Sequence, residues 1–291
     1  MKVWLDGQLV NQEEAKISVF DHGLLYGDGV FEGIRVYSQK IFQCKAHLDR
    51  LYRSAELIRL AIPYSRDELF QAMTECIEAN EIKKGYIRLV VTRGAGTLGL
   101  NPFLCHKAST FVIADQLRMY TEEMYEQGMS VIIAKSVRRT SANMLDPRVK
   151  SLNYLNNILA KIECVDAGVL EVLMRNEKGN ICEASGDNIF IIKDGRIITP
   201  PPEAGILIGI TRGVVMHLAR RNGLPVEESE LTPEDIYAAD ECFLTGTGAE
   251  VIAVTKVDET TIGNGKVGAI TKQLLTAFRE FVHTDEEVPY K

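Results

Sequence analysis

Residues 148–168 read RVKSLNYLNNILAKIECVDAG, and this stretch sets one lysine, Lys150, just ahead of an amphipathic helix. Leu155, Ile158, Leu159, Ile162 and Val165 recur at helical spacing, and Gly168 supplies a stop. A lysine in that place is electrostatically misfit, because the amino end of a helix dipole already carries partial positive charge. The misfit suits an amine that must at times be neutral, and a neutral lysine amine can attack an aldehyde and hold it as an imine. Taken alone, a solvated loop lysine is the commoner arrangement, so the surroundings decide.

After this helix come short strands at LEVLMR, NIFII and RIIT, with turns at Lys178-Gly179 and Asp194-Gly195. Thr211 to Asn222 reads as a helix ending at Gly223, and Thr232-Pro233-Glu234 opens another. Strands at ECFLT and EVIAVTKV follow, then a closing helix at ITKQLLTAFREFV. Upstream, KVWLDGQLV reads as a hairpin turning at Asp6-Gly7, and GVFEGIRVYSQKIFQC as a second turning near Ser38-Gln39. AHLDRLYRSAELIRLA places Leu48, Leu51, Leu57 and Ile58 on one helical face. Ser65 and Glu68 form a capping box before a helix carrying Leu69, Phe70, Met73 and Ile77. YIRLVVTRG and STFVIAD are strand-length runs around a Gly/Pro-punctuated loop at 94–107. The strand signal lapses at QLRMYTEEMYEQG, the candidate connection between a small N-terminal α+β domain, 1–120, and a larger C-terminal one, 121–291.

At 291 residues the chain is long enough for two domains with sizeable cores. A net charge of -7 argues against a general affinity for nucleic acid or anionic membrane. No basic start followed by an apolar run marks a secretory signal, and no apolar stretch is long enough to span a bilayer. The 6 cysteines are scattered without paired spacing, which fits buried thiols in a reducing cytoplasm, and no metal-ligand pattern is present. No Rossmann glycine fingerprint follows the first strand.

Four further features acquire meaning if Lys150 holds a phosphorylated aldehyde cofactor. GILIGITRG puts small and polar residues before a helix, where amide groups can bind an anion; a plain threonine cap explains it equally well. LTGTGAE offers Gly246 and Gly248 around Thr247, either an anion-binding turn or a simple strand connection. Arg50 lies on an amphipathic helix, where it sits at the water-facing edge, pairs with a carboxylate such as Glu56, or meets a phosphate. Glu183, between apolar residues and a small-residue turn, either holds a proton on a pyridine nitrogen or faces solvent at a strand edge.

Together, YGDGVFEGIR, AHLDRL, YIRLVVTRG, VKSLNYLNNILAK, EASGDNIF, GITRG and TGTGAE run in one order over almost the whole chain. In these motifs the sequence resembles the fold-type IV pyridoxal-phosphate enzymes, and among them most resembles branched-chain amino acid aminotransferases. The resemblance implies an α+β, two-domain, D-amino acid aminotransferase-like architecture with a cofactor cleft between the domains. It implies ping-pong transfer of the amino group of Leu, Ile or Val to 2-oxoglutarate in a cytoplasmic homodimer or larger assembly of dimers.

By that resemblance Lys150 carries pyridoxal 5'-phosphate and shuttles the substrate proton. Glu183 meets the ring nitrogen and Tyr154 the ring oxygen, while Arg50, Ile210, Thr211 and Thr247 form the phosphate cup. Gly248 and Ala249 bind the substrate α-carboxylate, and Phe31 lines the side-chain pocket. Tyr26, Tyr86 and Arg88 lie on the substrate side, with Arg88 the anchor for a distal carboxylate and Tyr86 reaching a neighbouring subunit. A D-amino acid aminotransferase and an aminodeoxychorismate-type lyase share the scaffold and stay open as alternatives. A non-enzymatic binding protein or a cysteine hydrolase fits less well, the latter because no partner motif accompanies Cys182 or Cys242.

Overall fold

The computed structural model describes residues 1–116 and 119–290 and divides into two units. Unit 1 is Met1–Arg118, Val149–Asn153 and Pro289–Lys291; unit 2 is Met119–Arg148 and Tyr154–Val288. The connecting stretch read at 116–128 includes Leu117 and Arg118, which lie outside the described residues.

Unit 1 contains β1 (Lys2–Leu5), β2 (Gln8–Asn11), α1 (His22–Tyr26), β3 (Gly29–Tyr37), β4 (Lys40–Ile41), α2 (Cys44–Leu57), α3 (Arg66–Ala79), β5 (Gly85–Thr92) and β6 (Ser109–Asp115). Its strands form one antiparallel sheet in the order β2-β1-β6-β5-β3-β4. Asp6-Gly7 makes the first hairpin turn, and the Ser65/Glu68 capping box opens α3 as its spacing predicts. Leu48, Leu51 and Ala55 of α2 pack with Leu69, Met73 and Ile77 of α3 against Val30, Ile34 and Val36 of β3. Two apolar residues of these helices, Leu57 and Phe70, are exposed. Each stands at the margin of its helix's apolar stripe, and periodicity alone does not fix the stripe's width.

Strand alternation divides β3 into two faces. Val30, Glu32, Ile34 and Val36 share the helix-facing side, so Phe31, Gly33 and Arg35 point the other way. Register pairs Gly33 with Arg88 and Arg35 with Tyr86 on β5. Phe31, Tyr86 and Arg88 thus share the second face.

Unit 2 contains α4 (Glu122–Gln127), β7 (Met129–Ile133), α5 (Leu155–Asp166), β8 (Glu171–Arg175), β9 (Ile181–Ala184), β10 (Asn188–Lys193), β11 (Arg196–Thr199), α6 (Ile210–Arg221), β12 (Val226–Glu228), α7 (Pro233–Tyr237), β13 (Glu241–Gly246), β14 (Glu250–Val257), β15 (Thr260–Thr261) and α8 (Ala269–Phe281). The sheet order is β12-β11-β10-β13-β14-β7-β8-β9, and a pairing of β9 back onto β10 joins six strands into a closed ring. That closure is made by Glu183 opposite Asn188. Met129, Val131, Leu173, Ile181, Ile189, Leu244 and Ile252 supply the ring's core.

Outside β8, α5 packs Ala160 and Cys164 against Val172, Met174 and Cys182. The apolar residues read as the inward face of α5, from Leu155 to Val165, are exposed, between 44% for Leu159 and 68% for Leu155. The helix buries Asn157, Ala160 and Cys164, because small side chains permit close approach to the sheet.

Candidate active site

Lys150 belongs to unit 1, where main-chain hydrogen bonds fix it to β3. Its carbonyl accepts from Phe31 N at 3.0 Å, and Leu152 N donates to Gly29 O at 3.0 Å. Its own amide donates to Ser54 Oγ of α2 at 3.2 Å. Strand pairing, not the first turn of α5, positions this lysine, since α5 opens only at Leu155. Its Nζ lies 4.5 Å from the centroid of the Phe31 ring, and the Arg88 guanidinium carbon lies 4.5 Å from that same centroid. Arg88 Nη2 donates to the Tyr86 hydroxyl at 3.3 Å. An amine, an apolar ring and a guanidinium therefore share one face of β3 and β5.

Gly33 leaves room here for the Tyr86 ring. A Cβ on it would meet the Tyr86 hydroxyl at 1.8 Å. Tyr26 ends α1, and its hydroxyl donates to Leu98 O at 2.5 Å, in the loop at 94–107.

Arg50 is buried, and its carboxylate partner is Glu32, not Glu56. Its Nε donates to Glu32 Oε1 at 2.7 Å and its Nη2 to Oε2 at 2.8 Å. His47, one helical turn earlier, donates from Nδ1 to Glu32 Oε2 at 2.7 Å. Burial alone would push Glu32 upward, but Arg50, helped by His47, holds it at about 2 against an ordinary 4.5. Burial keeps His47 below its ordinary 6.5 despite the pull of Glu32, so the ring is neutral and donates. Sequence reading missed Glu32 and His47. The available signal was a lone carboxylate at an inward position of an apolar strand, with His and Arg at i and i+3 on a buried helix face.

Acid should unfold the protein through this cluster. The unfolded chain takes up protons at His47 from about 6.5 and at Glu32 from about 4.5, whereas the folded pair resists both. The contribution of Glu32 is fully present above 4.5 and is lost as pH falls toward 2, about 3 kcal/mol in all. Urea midpoints measured from roughly pH 7 to pH 3 should fall with acid, with the slope below 4.5 flattened in Glu32→Gln. An unchanged slope in that variant would count against the assignment.

Unit 2 carries the other predicted residues. Glu183 is buried on β9 and not at a solvent-facing edge. Its Oε1 accepts from Arg139 Nε at 2.6 Å, and its Oε2 accepts from Leu207 N at 3.0 Å and Asn188 Nδ2 at 3.1 Å. Tyr154 occupies the N-cap position of α5. Ile210 and Thr211 open α6, whose N-cap is Gly209 and whose first amides receive no side-chain cap. A twelve-residue helix with such a start suits an anion. A Cβ on Gly209 would meet Asn188 Oδ1 at 2.0 Å, so glycine there lets the asparagine reach Glu183.

Thr247, Gly248 and Ala249 form the turn from β13 to β14, and the Ala249 carbonyl accepts from Tyr125 at 3.1 Å. Taken unit by unit, the donor chemistry suits a phosphorylated pyridine aldehyde: unit 1 offers a lysine amine and a buried arginine, and unit 2 a buried carboxylate and uncapped helix amides. Among the described residues, no group of three or more His, Cys, Asp or Glu could hold a metal ion.

The profile of the Amino-transferase class IV family matches residues 29–257. A protein of Methanocaldococcus jannaschii, provisionally named a branched-chain-amino-acid aminotransferase, is 48% identical over 96% of both chains. The branched-chain-amino-acid aminotransferase of Pseudomonas aeruginosa is 39% identical over 96% of this chain and 92% of its own. The crystal structure of the T.th. branched-chain amino acid aminotransferase with pyridoxamine 5'-phosphate matches with a TM-score of 0.93 at 39% identity, covering 97% of this chain and 93% of that one.

Proposed function

This chain belongs to the class IV aminotransferase family, and from that premise we propose that it transfers the amino group of L-leucine, L-isoleucine and L-valine to 2-oxoglutarate, with pyridoxal 5'-phosphate as cofactor. Bound there, the cofactor supplies an aldehyde that accepts the amino group and a cationic ring that accepts electrons. Lys150 Nζ takes the substrate α-proton and returns it during transfer. The Glu183 carboxylate holds a proton at the ring nitrogen, and Tyr154 hydrogen-bonds the ring oxygen. Arg50, the Ile210 and Thr211 amides and Thr247 bind the phosphate, while Gly248 and Ala249 receive the substrate α-carboxylate. Tyr26 lies on the substrate side.

The observation that carries this reading is the shared face on which Lys150 and Arg88 both approach Phe31. An apolar ring beside the reacting amine favours an aliphatic side chain, each buried methylene contributing about 0.8 kcal/mol. Arg88 serves the anionic co-substrate. Initial rates with L-leucine and 2-oxoglutarate should give parallel double-reciprocal lines, and D-alanine should be a poor donor. Activity with D-alanine above that with L-leucine, or product formed without an oxo acid, would assign the chain to one of its scaffold-sharing alternatives. Arg88→Ala should raise KM for 2-oxoglutarate about 10- to 100-fold by removing a charge-assisted contact, with a far smaller change for L-leucine. Equal changes for both would remove Arg88 from this role.

The working form is proposed to be a homodimer or an assembly of dimers, with Tyr86 reaching a neighbouring subunit. Val19, Phe20, Leu24, Leu98, Leu100 and Phe103 are exposed apolar side chains that a second copy would cover. Light scattering that returns the mass of a single chain would remove this part. Cytoplasmic residence agrees with six free cysteines, five of them buried. No helix among the described residues is long and apolar enough to cross a membrane.

A further inference from the structure

Arg139 lies outside every motif that marks the site, in the loop after β7. Its amide donates to Arg175 O at 2.8 Å, which fixes the loop beside the end of β8. From there the guanidinium reaches two elements. Nε donates to Glu183 Oε1 of β9 at 2.6 Å, and Nη1 donates to Asn157 Oδ1 of α5 at 3.2 Å. Asn157 in turn donates from Nδ2 to Ser185 O at 2.7 Å, tying α5 to the turn after β9. The side chains of Arg139 and Glu183 are 10% and 6% exposed.

Burial works against the charge on Arg139, yet the Glu183 carboxylate, with Tyr154 and Cys182 adding to it, holds the guanidinium above its ordinary value. A pair that served packing alone could sit anywhere in the unit. This cation pairs with Glu183, the side chain proposed for the cofactor's nitrogen, and through Asn157 it holds α5, whose N-cap Tyr154 is proposed for the cofactor's oxygen.

Resting on that assignment, we propose that Arg139 is a positioning residue that locks the Glu183 carboxylate in its ring-facing orientation and sets the proton balance of the bound pyridine ring. A guanidinium on one oxygen keeps the carboxylate ionised and shares its negative charge, so the ring proton is held less tightly than by an isolated carboxylate. Asn188 and Leu207 donate to the other oxygen without charge, whereas Arg139 brings a cation.

The test uses Arg139→Met, Arg139→Lys and Glu183→Gln, each titrated with pyridoxal 5'-phosphate and then scanned by visible absorbance across pH. Arg139→Met should weaken cofactor binding about tenfold and raise the pH midpoint of the visible band by about one unit, because removing a buried cation favours the protonated form of its neighbours. Arg139→Lys keeps the charge but not the fork, so the midpoint should return toward wild type while the weaker binding persists. Should Arg139→Met fail to fold, the lysine variant decides by the same two readouts. A wild-type midpoint in Arg139→Met, or a lysine variant that binds the cofactor as tightly as wild type, overturns the role of Arg139. Wild-type cofactor binding in Glu183→Gln would instead remove the underlying assignment of Glu183.

Discussion

Lys150→Ala is expected to lower kcat by at least about 10³-fold and to abolish covalent retention of the cofactor. Two functions vanish with one amine: the attachment point for the aldehyde, and the base that moves the α-proton. Treatment of the wild-type enzyme with borohydride should fix the cofactor's mass to the chain, and the variant should gain none. The fold should survive, because the position is held by main-chain bonds to Phe31 and through Ser54, and alanine keeps both. The lost contact between Nζ and the Phe31 ring accounts for no more than about 1 kcal/mol. Small primary amines added to the variant should restore part of the proton transfer without restoring the covalent mass. A variant that retains the fixable mass would place the attachment elsewhere and end the assignment.

The lysine was legible in the sequence, and its support was not. The VKSLNY motif singles out residue 150, yet pairing with β3, and not the dipole of α5, places it. Strand pairing across so long a separation leaves no local pattern to read. The helix at 155–166 was legible by period, but the inward side was not. Apolar spacing on α5 marks a stripe without saying what covers it, and β8 is met instead by Asn157, Ala160 and Cys164. Capping chemistry read reliably at Ser65 and Thr232 because each cap is a contact over three residues. Glu183 was legible as a residue and Arg139 was not, since their contact joins residues 44 apart and one of them sits in a loop without periodicity.

Glu183→Ala should combine a kinetic and a structural loss. Kinetically, the ring nitrogen loses the carboxylate that keeps it protonated, which should lower kcat by about 10²- to 10⁴-fold, the range of a positioned acid–base partner. Structurally, Arg139 is left buried without its counter-charge, and breaking such a pair from one side costs about 3–5 kcal/mol.

Glu183→Gln separates the two effects. Donors converge on both oxygens, Arg139 on Oε1 and Asn188 with Leu207 on Oε2. An amide offers only one acceptor oxygen, so whichever way it turns, an N–H faces a donor. The stability cost should then be about 1–3 kcal/mol, less than for alanine but not zero. Turnover should fall nearly as far as in alanine, because an amide does not hold a proton on the ring. In both variants Lys150 still offers its amine, so borohydride should still fix the cofactor at saturating concentration. Retained mass with lost turnover is the signature expected of an electron-sink partner. If Glu183→Gln kept wild-type kcat while losing stability, Glu183 would be the structural half of a buried ion pair closing the β9–β10 ring, and the proton on the pyridine nitrogen would need another holder.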